Sequence, residues 1–299
     1  MKNSKFFDRN SFNTRQLIMW STFFVGLIFA TIIMSATSRL MASNPKLSIY
    51  VSMVIQDILV FIAPAFITAI LISRKAATFL RLNVTPKWRE LAFVLLLFIV
   101  SLPAMNYIVS LNEAIRLPES LSGIEQTLRA MENAAQDVTD MLIGDNSTLI
   151  QLLPSLILVG ALAGFSEEIF FRGTMQSIFV SRPTNIIHVS VWFTALLFSV
   201  LHFQFYGFIP RLLMGAMFGY MLVWSGSLWI PVIAHTLNNS VVVVGTYLIN
   251  NNIISANLDN IGIPPEGELP RLAFISFVLT LFLFRYKRIF FKTKTSKPE

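Results

Sequence analysis

The sequence predicts an all-α, polytopic membrane protein, a bundle of about eight transmembrane helices with both termini in the cytoplasm. Composition is the first ground. Of 299 residues, 55% are hydrophobic and only 13% are charged, where a soluble domain carries about 25% charge. Mean hydropathy is +0.66, and 27 residues are Phe. The second ground is length: apolar segments of the roughly 20 residues needed to span a bilayer recur along the chain. The third is the separation of basic from acidic connections, described below. Disordered, coiled-coil and collagen-like chains are excluded by the same composition. With no cysteine, disulfides, thiolate zinc sites, iron–sulfur clusters and a cysteine nucleophile are excluded too.

The expected spans, in order, are 16–36, 51–72, 91–111, about 150–180, 187–206, 208–225, 228–249 and 271–286. The first follows basic residues and precedes Ser35-Ala36-Thr37, as a signal peptide would. Its apolar run exceeds a typical signal core, so an uncleaved signal-anchor helix is expected. Between the third and fourth spans, 119–143 shows Leu121, Ile124, Leu128, Met131, Ala135, Val138 and Leu142 at three- and four-residue spacing. Acids are expected on its opposite face. That pattern predicts an amphipathic helix lying on the outer surface or packed on the bundle.

Charge placement orients the bundle. With the N-terminus inside, the inner segments hold Lys2, Lys5, Arg9, Arg15, Arg74, Lys75, Arg81, Lys87, Arg89, Arg172, Arg182 and six residues from Arg285 to Lys297, seventeen of the 23 basic residues. The outer loops collect Glu113, Glu119, Glu125, Glu132, Asp137, Asp140, Asp145, Asp259, Glu266 and Glu268. This is the positive-inside distribution. It assigns the net charge of +7 to topology and anionic lipid rather than to nucleic acid, including the aromatic–basic run from Arg285 to Lys292.

Ionisable groups inside the spans carry the chemistry. A charge at mid-span costs about 2.5–3.5 kcal/mol on insertion scales, so Glu167, Glu168 and Arg172 on one helix must face the bundle interior or water. Glu168 and Arg172 stand at i, i+4 and can pair; Glu167 is rotated about 100° from Glu168 and is left free. All three histidines lie in the second half. His188 opens the fifth span at the interface, His202 lies deep in it one turn after Phe198, and His235 shares a face of the seventh span with Asn239. Asp57 is an intramembrane acid without a partner evident in the sequence, and Arg211 is an odd charge at the outer start of the sixth span. By rise per residue, Glu167 falls near mid-membrane, His235 toward the inner side and His202 toward the outer side.

One carboxylate, two imidazoles and an amide suffice for hydrolysis. Glu167 can take a proton from water, His202 can hold that water, and His235 and Asn239 can offer donors to an oxyanion. Alternatively, Glu167, His202 and His235 can bind one divalent metal, Zn2+ by preference, leaving a position for water. Spacing alone does not separate the two versions. Taken singly, Glu–Arg pairs often only join helices, and buried His and Asn often satisfy backbone carbonyls. Three polar pairs on three helices within about 75 residues point beyond that.

Glu167-Glu168-Ile169-Phe170-Phe171-Arg172 fits EExxxR, Phe198-Ser199-Val200-Leu201-His202 fits FxxxH, and His235-Thr236-Leu237-Asn238-Asn239 fits HxxxN. In this order the motifs resemble the CPBP family, the type II CAAX prenyl endopeptidases and the bacterial bacteriocin-processing or Abi proteins. Gly215 and Gly219 in GxxxG, the turn Ser225-Gly226-Ser227-Leu228-Trp229, and Pro231 add to the likeness. It covers about 150–245. The resemblance implies a membrane-embedded endopeptidase in which Glu167 activates water, His202, His235 and Asn239 complete the centre, and Glu168, Arg172 and Phe198 support it. Family members have been described as metal-dependent and as glutamate-based.

The chain thus divides into N-terminal helices plus the amphipathic segment (1–149), a CPBP-like catalytic core (150–249), and an outer loop, last span and basic tail (250–299). The expected partners are a protein or peptide substrate in the membrane and the bilayer itself, and the expected location is a bacterial inner membrane. A non-catalytic bacteriocin-immunity or scaffold protein is the alternative. A proton- or ion-coupled transporter using Asp57, Glu167 and Glu168 ranks last, because it predicts inverted repeats that the sequence does not show.

Overall fold

The computed structural model describes residues 11–144, 148–180, 186–254, 260–265 and 267–291. Among the expected charges, Lys2, Lys5, Arg9, Asp145, Arg182, Asp259, Glu266, Lys292, Lys294 and Lys297 lie outside the described residues. The chain is all-α, an integral membrane helix bundle. Its helices are α1 (Phe12–Leu40), α2 (Pro45–Ile72), α3 (Ala76–Phe79), α4 (Trp88–Glu113), α5 (Ser122–Ile143), α6 (Leu149–Val180), α7 (Ile187–Val200), α8 (Phe208–Ser225), α9 (Trp229–Asn250) and α10 (Arg271–Tyr286). Six of them (α1, α2, α4, α6, α8 and α9) are long and apolar enough to cross a membrane. The other two expected spans also form helices, but shorter ones: α7 has 14 residues and α10 has 16.

Local chemistry sets the ends. Ser11 and Asn44 accept backbone N–H groups of the first turns of α1 and α2, and Thr148 with Gln151 forms a capping box at α6. Gly226 closes α8 in the left-handed conformation, φ +68°, a geometry glycine adopts without steric cost. The 225–229 turn is clasped to the loop after α3. The Leu228 N–H donates to Arg81 O, and the Trp229 indole donates to Leu82 O at 2.9 Å.

Two of the spans are not regular α-helices. A π-helical segment, Asp57–Ile62, interrupts α2 just before Pro64, and two more, Leu156–Leu162 and Ile169–Gln176, interrupt α6. Such wide turns are rare and concentrate at functional positions. In α6 they flank the short α-helical piece Ala163–Glu168.

The core forms where α1, α2 and α6 meet, with Phe23 stacked on Phe170 at 5.1 Å and Met19, Ala65, Ala69 and Met175 fully buried around them. Small residues let backbones approach, as membrane helices require. Gly160 faces Ser240, and Gly164 faces Thr236, so α9 lies close against α6. Gly215 and Gly219 do the same for α8, against Ala195 and Val191 of α7 and against Arg172 and Gln176 of α6. The outer surface is apolar, with Phe24, Ile28 and Phe29 on α1 and Phe274 and Phe282 on α10 more than half exposed. That is the pattern expected of lipid-facing helices.

The amphipathic helix is present as α5, preceded by a 3-10 turn at Glu119–Leu121. Its docking corrects one expectation. Acids do not all face away from the protein: Glu125 and Glu132 turn toward it together with the basic Arg129, while Ile124, Met131 and Val138 are exposed. The reason is local pairing. Glu125 accepts from the Leu117 N–H and from Arg129 Nε, each at 2.9 Å, and Glu132 accepts from Gln204 at 3.2 Å. The Arg129 guanidinium lies 4.1 Å over the Tyr206 ring, a cation–π contact.

Candidate active site

The α-helical piece between the π segments of α6 carries Glu167 and Glu168. Their side chains diverge, as the 100° rotation requires. Glu168 is fully buried, and its Oε1 accepts from Arg172 Nη1 at 2.7 Å and from His235 Nδ1 at 2.9 Å. The expected Glu168–Arg172 pair is therefore present, with a second partner that spacing along the chain does not reveal. Arg172 is also fully buried. Its Nη2 donates to Gly215 O at 2.9 Å, and one turn later Gln176 Nε2 donates to Gly219 O at 3.0 Å. The guanidinium carbon lies 4.5 Å from the Phe198 ring centroid and 5.6 Å from that of Phe218. Aromatic faces and a carboxylate thus replace water around this charge.

Glu167 faces the other way, into the polar centre. Its Oε2 lies 3.8 Å from His202 Nε2 and 3.9 Å from His235 Nε2. That oxygen is buried and has no hydrogen-bond partner. The distances are too long for direct hydrogen bonds and leave room for a water between the carboxylate and an imidazole. Both rings are oriented from behind. His202 Nδ1 lies 2.6 Å from Phe198 O, and His235 Nδ1 lies 2.9 Å from Glu168 Oε1. Each Nδ1 faces an acceptor and so carries the hydrogen; the neutral ring then presents a lone pair at Nε2. Phe198 contacts His202 edge-on at 4.8 Å, and Phe218 stacks on His235 at 5.0 Å. Phe218 is a site residue that the motifs do not include; its only signal is its place between Gly215 and Gly219.

The different depths predicted for Glu167, His202 and His235 do not survive folding. Helix α7 ends at Val200, so His202 is not deep in a span; it lies in the turn after the helix, followed by Phe203 at φ +54°. This turn and the π segments of α6 bring the three side chains together. Asn239 is positioned one turn beyond His235. Its amide donates to Val159 O at 3.0 Å and accepts from Asn238 at 3.2 Å, leaving its second N–H for another acceptor.

The remaining polar residues divide. Asp57, expected without a partner, accepts from Ser166 Oγ at 2.6 Å, which fastens the π segment of α2 beside Glu167. Arg211 donates to Gln204 at 2.7 Å, and Gly207 leaves the room its guanidinium fills. Gln204 also meets Glu132, so α5 is tied to the loop carrying His202. His188 is outside the centre, at the far end of α7, with Nδ1 2.7 Å from the Tyr220 hydroxyl. As for a metal, no group of three or more His, Asp or Glu side chains among the described residues is gathered closely enough to hold one.

Comparison with known proteins bears on this arrangement. Residues 149–241 match the family model described as type II CAAX prenyl endopeptidase Rce1-like. A similar protein is the uncharacterized protein YpbD of Bacillus subtilis (strain 168), 30% identical over 93 residues, which are 30% of this chain and 44% of that one. The chain thus aligns with less than half the length of that relative. No solved structure matches. The matched segment, 149–241, contains Glu167, Glu168, Arg172, His202, His235 and Asn239 together, and it is this part of the chain that is similar to the Rce1-like family.

Proposed function

We propose that this protein is an intramembrane endopeptidase that hydrolyses a peptide bond in a membrane-associated or lipidated protein or peptide, in a bacterial inner membrane. The observation that supports it best is the unpartnered Glu167 Oε2 held 3.8 and 3.9 Å from two imidazole nitrogens. A water there donates one hydrogen to an imidazole Nε2 and the other to Glu167 Oε2, and the carboxylate takes that second proton as the water oxygen attacks the scissile carbonyl carbon. The carbonyl oxygen becomes an oxyanion, which the free Asn239 N–H stabilises. Glu167 then returns the proton to the departing amine nitrogen, the C–N bond breaks, and the carboxylate is regenerated. Glu168 holds His235 in orientation and compensates positive charge on its ring, while Phe198 O does the orienting for His202.

The glutamate route is the version proposed, supported by the unpartnered Glu167 oxygen; the Glu167–His202–His235 metal site is the competing one. The test uses detergent-purified full chain, with Glu167→Gln and His202→Ala beside it, a membrane-peptide library, and mass spectrometry with and without chelator. Cleavage by wild type alone, unaffected by chelator, is expected. Loss of cleavage with chelator, together with a near-stoichiometric metal missing from the variants, selects the metal site. If no library member is cut, the immunity or scaffold reading replaces the enzyme.

A further inference from the structure

A cavity lies on the other side of α8 from the proposed catalytic centre. It is about 730 Å³ and is walled by α4, α7, α8 and α10, a volume ordinary for a small-molecule site. Along α8 it runs from Leu213 to Trp224, about 16 Å at 1.5 Å per residue. That is close to half of the roughly 30 Å hydrocarbon core, the depth of a single leaflet. Most of its walls are apolar, including Ile108, Met217 and Leu281.

Its polarity is concentrated at one end. There the Lys287 ammonium stands 4.7 Å from the Trp224 ring centroid, with Arg285 and Arg288 beside it in sequence. Burial, and then the charges of Arg288 and Arg285, hold this ammonium below the usual lysine value, so an anion placed at it is favoured. About one helical turn further in, the Tyr220 hydroxyl and His188 imidazole supply hydrogen-bonding groups. Helix α10 is pinned to α4 at the cavity wall. Ser276 Oγ accepts the Ala104 N–H and donates to Val100 O, inserting into an i→i−4 pair next to Pro103.

We propose that this cavity binds one anionic phospholipid of the inner leaflet, one acyl chain lying along α8 and the phosphate against Lys287. Length, apolar lining and a cationic mouth at one end match that amphiphile, and basic residues at the cytoplasmic boundary attract anionic headgroups. The site is separate from Glu167, so the proposal stands apart from the hydrolytic one.

Native mass spectrometry tests it on the full-length chain equilibrated with mixed micelles of equal palmitoyl-oleoyl-phosphatidylglycerol and -phosphatidylcholine. One phosphatidylglycerol per chain should survive activation, with phosphatidylcholine retained at least fivefold less. Lys287→Glu should abolish the preference. Leu281→Trp, which fills the cavity, should lose the retained lipid altogether, with unchanged thermal unfolding showing that it folds. Should that variant not fold, Ile108→Trp closes the cavity from the opposite wall. Equal retention of both lipids by wild type, or phosphatidylglycerol retained undiminished in a folded cavity-filled variant, overturns the proposal.

Discussion

Glu167 and Glu168 are adjacent in sequence and chemically opposite in setting. Each keeps one buried oxygen without a partner, but Glu168 is dry and its other oxygen is shared between Arg172 and His235, whereas the free oxygen of Glu167 faces two imidazole nitrogens. Their substitutions should therefore differ. Glu167→Gln keeps shape and removes the proposed base, so cleavage should fall by ~10³-fold or more with thermal unfolding unchanged. Glu168→Gln removes the negative charge that His235 and Arg172 share, leaving a neutral amide oxygen for His235 and Arg172 uncompensated. Activity should drop by on the order of 10²–10⁴-fold, as when a supporting carboxylate is lost, and stability should drop with it. Arg172→Met strands a buried carboxylate and should cost about 3–5 kcal/mol, read as a lower unfolding temperature in detergent. A variant with Glu167→Gln activity equal to wild type would remove the glutamate from the mechanism.

At the scale of elements, helix approach decides whether the centre assembles. A Cβ on Gly164 would sit 2.8 Å from Thr236 Oγ1 and 3.0 Å from the Thr236 backbone nitrogen, and that backbone belongs to the helix carrying His235. On Gly160 it would meet only the Ser240 hydroxyl, at 2.7 Å, an atom that can rotate away. Gly164→Ala should thus lower both activity and unfolding temperature, and Gly160→Ala should do so much less; equal effects would count against backbone approach as the cause. The α5 helix is tied to the His202 loop by the Glu132–Gln204–Arg211 chain of hydrogen bonds. Replacing Gln204 by Ala should raise hydrogen exchange across 122–143 while leaving exchange in α9 unaltered.

For the whole molecule the open quantity is orientation, and the absence of cysteine makes it directly measurable. Thr85→Cys lies in the loop expected inside, and Gly123→Cys lies at the start of α5, expected outside. Impermeant thiol reagent on intact cells should label Gly123→Cys only, and inverted vesicles should show the reverse. Labelling of both from one side would refute the charge-based topology.

Much of the bundle is legible in the order of residues alone. The six helices long and apolar enough to cross a membrane all coincide with expected spans, because a bilayer accepts backbone only when its polar groups are satisfied within the segment, and an apolar run of sufficient length signals that directly. The Glu168–Arg172 pair is legible because i, i+4 spacing is local. So is the close packing at Gly215 and Gly219, where a missing side chain has one simple use between membrane helices. Hydropathy and spacing thus supply an inventory: which segments enter the membrane, which charges cannot face lipid, and which motif residues must share a helix face. Which of them meet is a matter of the packed helices. Counting along ideal helices separates Glu167, His202 and His235 in depth. The π segments of α6 and the early end of α7 cancel that separation, and neither leaves a mark in hydropathy. The Glu168–His235 bond spans 67 residues, and the inward turn of Glu132 depends on Gln204 across 72. Contacts of that range depend on how helices pack, and packing is settled by the shapes of all facing side chains together rather than by the spacing along any one of them.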